Sequence, residues 1–129
     1  MINDVKFETP KPIQVVRRIY ELTTTKESII LDFFAGSGTT LHATMQLNAK
    51  DGGHRQCILV TNNENNICEE VTYERNKRVI QGYTTPKGVE VAGLKANNLR
   101  YHKTDFIPRD RTQRNMRALV AAYASWLTK

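Results

Sequence analysis

Asp32 and the run Phe34-Ala35-Gly36-Ser37-Gly38-Thr39-Thr40 hold the residue types best suited to chemistry in this 129-residue chain. Two glycines separated by one residue permit positive φ and let a ligand come close to the main chain. Thr39 and Thr40 stand where hydroxyls can cap a helix, whose free N–H groups favour a polar or anionic ligand. A phosphate-cradling P-loop ends in Gly-Lys-Ser/Thr; no Lys follows Gly38, so that chemistry is excluded. The dinucleotide fingerprint needs a small third residue where Leu41 stands, and it fits poorly. A plain strand–turn–helix corner with no ligand is the bland alternative.

Other reactive side chains form no constellation. His42, His54 and His102 are isolated, without carboxylate or Cys companions at ligand spacing, so no metal site is expected. Cys57 and Cys68 fall in a predicted strand and helix and read as reduced, structural thiols. Arg109, Arg111, Arg114 and Arg117, with Lys103, make the end of the chain basic; a phosphate contact and a solvated helix face explain them equally. The formal charge of +6 suits a polyanion without requiring one. No run approaches the roughly 18–20 apolar residues of a membrane span, and no signal-peptide pattern opens the chain. A soluble cytoplasmic protein is the expectation.

The elements that must position the glycine run are legible on either side of it. Ile29 to Phe34 is a short bulky apolar run that stops sharply, the pattern of a strand buried on both faces. Leu41 with Met45 and Ala43 with Leu47 give the next helix its faces, and Asp51-Gly52-Gly53 ends it. Gln56 to Thr61 is a second buried strand, and two such strands joined by a helix imply a parallel βαβ unit. Asn62-Asn63-Glu64-Asn65-Asn66 forms the polar loop beyond it. Ile67 to about Gln81 reads as a long helix with Ile67, Val71 and Val79 on one side. Upstream, Met1 to Glu8 reads as a loose arm, and Pro12 opens a helix to about Leu22. Downstream, a short hairpin around Val89-Glu90-Val91 is compatible with a Gly/Pro-rich stretch. Leu99 to Thr104 reads as a third strand, and Met116, Leu119, Val120, Tyr123 and Leu127 trace an amphipathic closing helix.

With these elements in place, the text resembles a known family. Phe34-Ala35-Gly36-Ser37-Gly38-Thr39 matches the Phe-x-Gly-x-Gly loop of S-adenosylmethionine-dependent methyltransferases. Phe7-Glu8-Thr9-Pro10-Lys11-Pro12, then a helix, then Asp32 to Thr40, resembles amino-DNA methyltransferases of the β arrangement. Glu70-Val71-Thr72-Tyr73-Glu74-Arg75 and Asn98 to Phe106 are similar to adenine methyltransferases of type III restriction–modification systems (the Mod subunits). The resemblance implies the cofactor-binding part of such an enzyme, in a partial three-layer α/β Rossmann-like fold containing about half of the mostly parallel sheet. It implies a single partial methyltransferase domain over 1–129, with the Thr-Pro-Lys-Pro segment and glycine loop at 7–40, the second and third strands at 56–106, and the closing helix at 110–127.

The same resemblance assigns S-adenosylmethionine as cofactor. Phe34, Ala35, Gly36, Ser37 and Gly38 would form the loop against its methionine moiety, with Thr39 and Thr40 at the helix start and Phe33 also among the cofactor-binding residues. Pro10 and Lys11 would approach from the preceding segment, and Asp32 would face the amino-acid part. Where the family places a ribose-binding acid, this chain has Thr61-Asn62-Asn63, and the first acid is Glu64. The assignment therefore falls to Asn62 or Glu64. Asp105 is a candidate partner for the adenine amino group, or a solvated strand-end acid.

One departure is large. The family's Asp/Asn/Ser-Pro-Pro-aromatic motif, which holds the flipped target base, has no counterpart here. The four prolines, Pro10, Pro12, Pro86 and Pro108, are never adjacent. No methyl-transfer catalyst can be named. The chain reads as part of a site-specific DNA adenine methyltransferase acting on DNA within the complete enzyme, or as an inactive remnant or interaction subunit keeping the fold. The glycine-loop strand would present an open apolar edge, which predicts a homodimer or association with a separate catalytic or restriction subunit.

Overall fold

The computed structural model describes residues 10–104. In chain order they form α1 (Ile13–Thr23), β1 (Ile29–Asp32), α2 (Thr39–Asp51), β2 (Gln56–Leu59), α3 (Glu74–Gln81), β3 (Gly82–Thr84) and β4 (Glu90–Ala92). A 3₁₀ turn (Glu64–Asn66) and a π-helical segment (Ile67–Tyr73) run directly into α3. The expected arm before Pro10, the closing helix over 110–127 and Asp105 lie outside the described residues.

β1 and β2 pair in parallel, Ile29 opposite Gln56 through Asp32 opposite Leu59, with α2 as the crossover. This is the expected βαβ unit, with shorter strands. β1 stops at Asp32 because the carboxylate turns the chain, Oδ1 accepting the Phe34 N–H at 2.9 Å. Backbone pairing continues past both strand ends: Val60 N–H donates to Asp32 O at 2.8 Å and Ala35 N–H to Val60 O at 3.1 Å. The two loops that follow β1 and β2 therefore leave the sheet at the same, carboxyl, end.

α2 is the central helix. Ala43, Met45 and Leu47 are buried, together with Thr39, Thr40, His42 and Thr44, while Gly52 ends the helix in a left-handed conformation at φ 68°. With Ala35 and Val79, these three side chains make the buried apolar core. At the far end of α2, Arg55 grips Asp51 through two bonds, Nη1 to Oδ1 at 3.1 Å and Nη2 to Oδ2 at 2.9 Å. Its Nε also donates to Thr24 Oγ1 at 2.8 Å, just after α1. One buried guanidinium thus joins the ends of both helices to the start of β2.

Three expectations are corrected. The strands are not buried on both faces. Ile30, Asp32, Cys57 and Leu59 are half-buried, but Ile29, Leu31, Phe33, Ile58 and Val60 are 43–65% exposed. Among the described residues nothing covers that second face. Leu99 to Thr104 is not a strand, because a strand needs a ladder partner and this segment crosses the helix instead. Tyr101 meets Tyr73 edge-to-face, with ring centroids 5.7 Å apart. The long helix is also not uniform: its first half is π-helical and begins at Asn65 and Asn66, both at positive φ (51° and 60°). The expected hairpin is present, β3 pairing with β4 in antiparallel fashion.

Candidate functional site

The loop from Phe33 to Gly38 is built from beneath by hydroxyls and from the side by α3. Thr40 Oγ1 donates to Asp32 Oδ2 at 2.7 Å and itself accepts from Tyr20 of α1 at 3.2 Å. Both oxygens of Asp32 are therefore used in shaping the loop. Gly38 N–H closes a tight turn onto Ala35 O at 2.8 Å. Gly38 is the residue preceding α2, at φ 74°, a conformation that side chains other than Asn or Asp rarely adopt. A Cβ there would also overlap Asn76 Nδ2.

This arrangement corrects the expected capping role of Thr39 and Thr40. No side chain caps α2, and both threonines are already helical. Their hydroxyls are taken by tertiary partners: Thr40 by Asp32 and Tyr20, Thr39 by Ser37 Oγ at 3.1 Å and Arg75 Nη1 at 2.9 Å.

Sequence reasoning missed the residues that hold the loop's carbonyls. Thr72 Oγ1 donates to Gly36 O, Arg75 Nη1 to Ser37 O at 3.4 Å, and Asn76 Nδ2 to Gly38 O at 3.3 Å. Thr72, Asn76 and Val79, spaced i, i+4, i+7, are the buried stripe of the helix. That spacing was available as a signal, but two of its three members are polar and do not mark an apolar face. The π-helical turn also shifts the phase away from Ile67 and Val71. His42 packs in the same wall, 3.5 Å from Arg75 Nη2. Burial, and then the Arg75 charge, push its pKa down to about 4, so the ring is neutral at physiological pH. Beneath the sheet, burial pushes the Cys57 thiol up to about 12, which keeps it an inert thiol.

The structure brings Asp32 and residues 33–40 together as one loop and helix start. Phe34 is 91% exposed on it and Phe33 is also exposed, whereas Ala35, Ser37, Gly38, Thr39 and Thr40 are buried. Asn62 and Glu64 lie exposed in the loop after β2, at the same end of the sheet, with Asn62 Nδ2 3.4 Å from Glu64 Oε2. In that loop Asn63 Oδ1 accepts the Cys68 and Glu69 N–H groups at 3.1 and 3.3 Å and starts the helix. Pro10 and Lys11 stand exposed ahead of α1. Among the described residues, no group of three or more His, Cys, Asp or Glu is placed to hold a metal ion.

A family model described as DNA methylase matches residues 2–83, most of the chain and all of the glycine loop. The chain belongs to the DNA methylase family. Over 61 residues it is 51% identical to the type III restriction-modification enzyme StyLTI Mod subunit of Salmonella typhimurium, covering 47% of this chain and 9% of that protein. Over 78 residues it is 40% identical to the type II methyltransferase M.KpnI of Klebsiella pneumoniae, covering 60% of this chain and 19% of that one. The type III EcoP15I Mod subunit of Escherichia coli is 35% identical over 79 residues, 61% of this chain and 11% of the relative. The resemblance to type III Mod subunits drawn from the motifs holds. The chain spans less than a fifth of the length of these curated relatives.

Proposed function

We propose that this chain is the S-adenosylmethionine-binding part of a site-specific DNA adenine-N6 methyltransferase of a restriction–modification system, folded as a partial three-layer Rossmann-like methyltransferase domain over 1–129. The observation that carries the reading is the glycine loop. It leaves the carboxyl end of one parallel strand beside the loop of the next, where open α/β sheets bind ligands, in a chain of the DNA methylase family.

The residues present fit such a ligand. The loop from Phe34 to Gly38 offers close backbone approach at Gly36, at positive φ beside the exposed Phe33 and Phe34 rings, while Gly38, also at positive φ, is what lets the loop close on Asn76. Asp32 holds the loop in shape through Thr40 and the Phe34 N–H, and Ser37, Thr39 and Thr40 complete the helix start. Pro10 and Lys11 approach from ahead of α1, and Asn62 with Glu64 would meet the ribose hydroxyls. Asp105 would serve the adenine amino group. When bound, the cofactor supplies the sulfonium methyl group, and the chain's part is to hold and orient it. DNA is engaged by the complete enzyme, in the cytoplasm, and the open edge of β1 joins this part to a second copy or to a separate catalytic or restriction subunit.

The second reading, an inactive remnant or interaction subunit, is favoured by the absence of any Pro-Pro pair. Calorimetry and thermal shift with S-adenosylmethionine and S-adenosylhomocysteine test the cofactor site on which the first reading rests. Saturable binding with a rise in melting temperature supports a working site; no heat and no shift with either ligand sinks it.

A further inference from the structure

The side of the helix turned towards the glycine loop does more than fill space. We infer that Thr72, Arg75 and Asn76 are positioning residues that aim the loop's amides at the ligand, an inference that rests on the cofactor reading above. The carbonyls of Gly36, Ser37 and Gly38, three in succession, all accept from this helix, Gly38 O accepting also from the His42 N–H of α2 at 3.3 Å and the Thr72 hydroxyl lying 3.1 Å from Ile67 O as well. In a trans peptide the carbonyl and the next N–H point in opposite directions. Tying three carbonyls towards α3 therefore turns the N–H groups of Ser37, Gly38 and Thr39 away from it. The Gly38 amide is used internally on Ala35 O, leaving those of Ser37 and Thr39 on the side facing away from the helix.

Asn76 shows that donation is what the position is built for. It is 1% exposed, its Nδ2 donates to Thr72 O at 2.8 Å as well as to Gly38 O, and its Oδ1 has no partner among the described residues. A buried acceptor left unpaired is destabilising, and an apolar side chain of similar size would avoid it. The amide is kept where it serves the loop. Gly38 matches it, since any side chain there would overlap Asn76 Nδ2. The helix also begins in the loop after β2, so one rigid element spaces both candidate ligand loops.

The test compares Thr72→Val, Thr72→Ser and Asn76→Leu in the full chain, with Arg55→Met as a control that loosens the opposite end of α2. Amide hydrogen exchange at Gly38 and affinity for S-adenosylhomocysteine are both measured. Thr72→Val and Asn76→Leu should speed exchange at Gly38 and weaken binding by about tenfold, as expected for one lost hydrogen bond, while Thr72→Ser restores both. Arg55→Met should lower the melting temperature yet leave exchange at Gly38 and affinity near wild type. Unchanged exchange at Gly38 in both loss-of-donor variants overturns the inference. So does faster exchange with unchanged affinity. If the wild-type chain binds neither ligand, the cofactor reading and the ligand-directed role fall together, whereas binding by the wild type with exchange and affinity indifferent to Thr72 and Asn76 overturns the positioning role alone.

Discussion

His42 couples the wall behind the glycine loop to pH. Folding buries the ring against the Arg75 guanidinium and lowers its pKa to about 4, whereas the unfolded chain titrates near 6.5. Between those values the unfolded state binds more protons, so stability falls as pH drops from about 6.5 towards 4 and is unaffected by this group above that window. The loss is on the order of 3 kcal/mol over the whole window. His42→Gln should flatten this part of the profile. Urea denaturation of both forms at pH 7 and pH 4.5 checks it, and equal losses in the two would refute the assignment. Glu21 falls to about 2 beside Lys50 and Arg18, so as an exposed carboxylate it titrates below this window.

At the scale of elements, α2 is fixed at both ends by unlike devices: at the start by the Thr40 hydroxyl on Asp32, at the finish by the Arg55 guanidinium. Arg55 is 3% exposed in its side chain and Asp51 27%, so removing the cation strands a partly shielded carboxylate together with Thr24 and Asn48. Arg55→Met should cost about 2–3 kcal/mol, below the range for fully buried pairs because Asp51 keeps some water. Chemical denaturation followed by circular dichroism reads it directly. Much of this architecture was legible in the sequence. The apolar runs at Ile29 and Gln56, the glycines between them and the Asp51-Gly52-Gly53 stop located the βαβ unit, because strand burial and left-handed turns leave local marks. The Arg55 junction and the π-helical turn left none, and the carbonyl grip of Thr72 and Asn76 left only the spacing of a stripe with two polar members. The grip depends on carbonyls 36 and 38 residues away, the link from Arg55 to α1 on Thr24, 31 residues away, and the π turn on one extra residue in a helical turn. Leu99 to Thr104 failed as a strand for the related reason that alternation supplies side chains, while a neighbour must supply the ladder.

Seen whole, the described part is lopsided. Helices α1 and α2 pack on one another, and α2 backs the β1–β2 sheet. The opposite sheet face shows Ile29, Leu31, Phe33, Ile58 and Val60 to solvent. An apolar face beside a strand edge that has no partner among the described residues marks an association surface. The full chain should therefore exceed monomer mass in light scattering at high concentration, and the pair Leu31→Lys with Ile58→Lys should return it towards monomer. A monodisperse monomer in the wild type would count against this.

The grip on the glycine loop carries a thermodynamic corollary. A backbone segment whose carbonyls are already held has surrendered its conformational freedom during folding, at roughly 1–2 kcal/mol per residue fixed. Whatever docks there meets a finished surface rather than one it must order. Its association should proceed at an encounter-limited rate, with little entropic penalty from the loop itself.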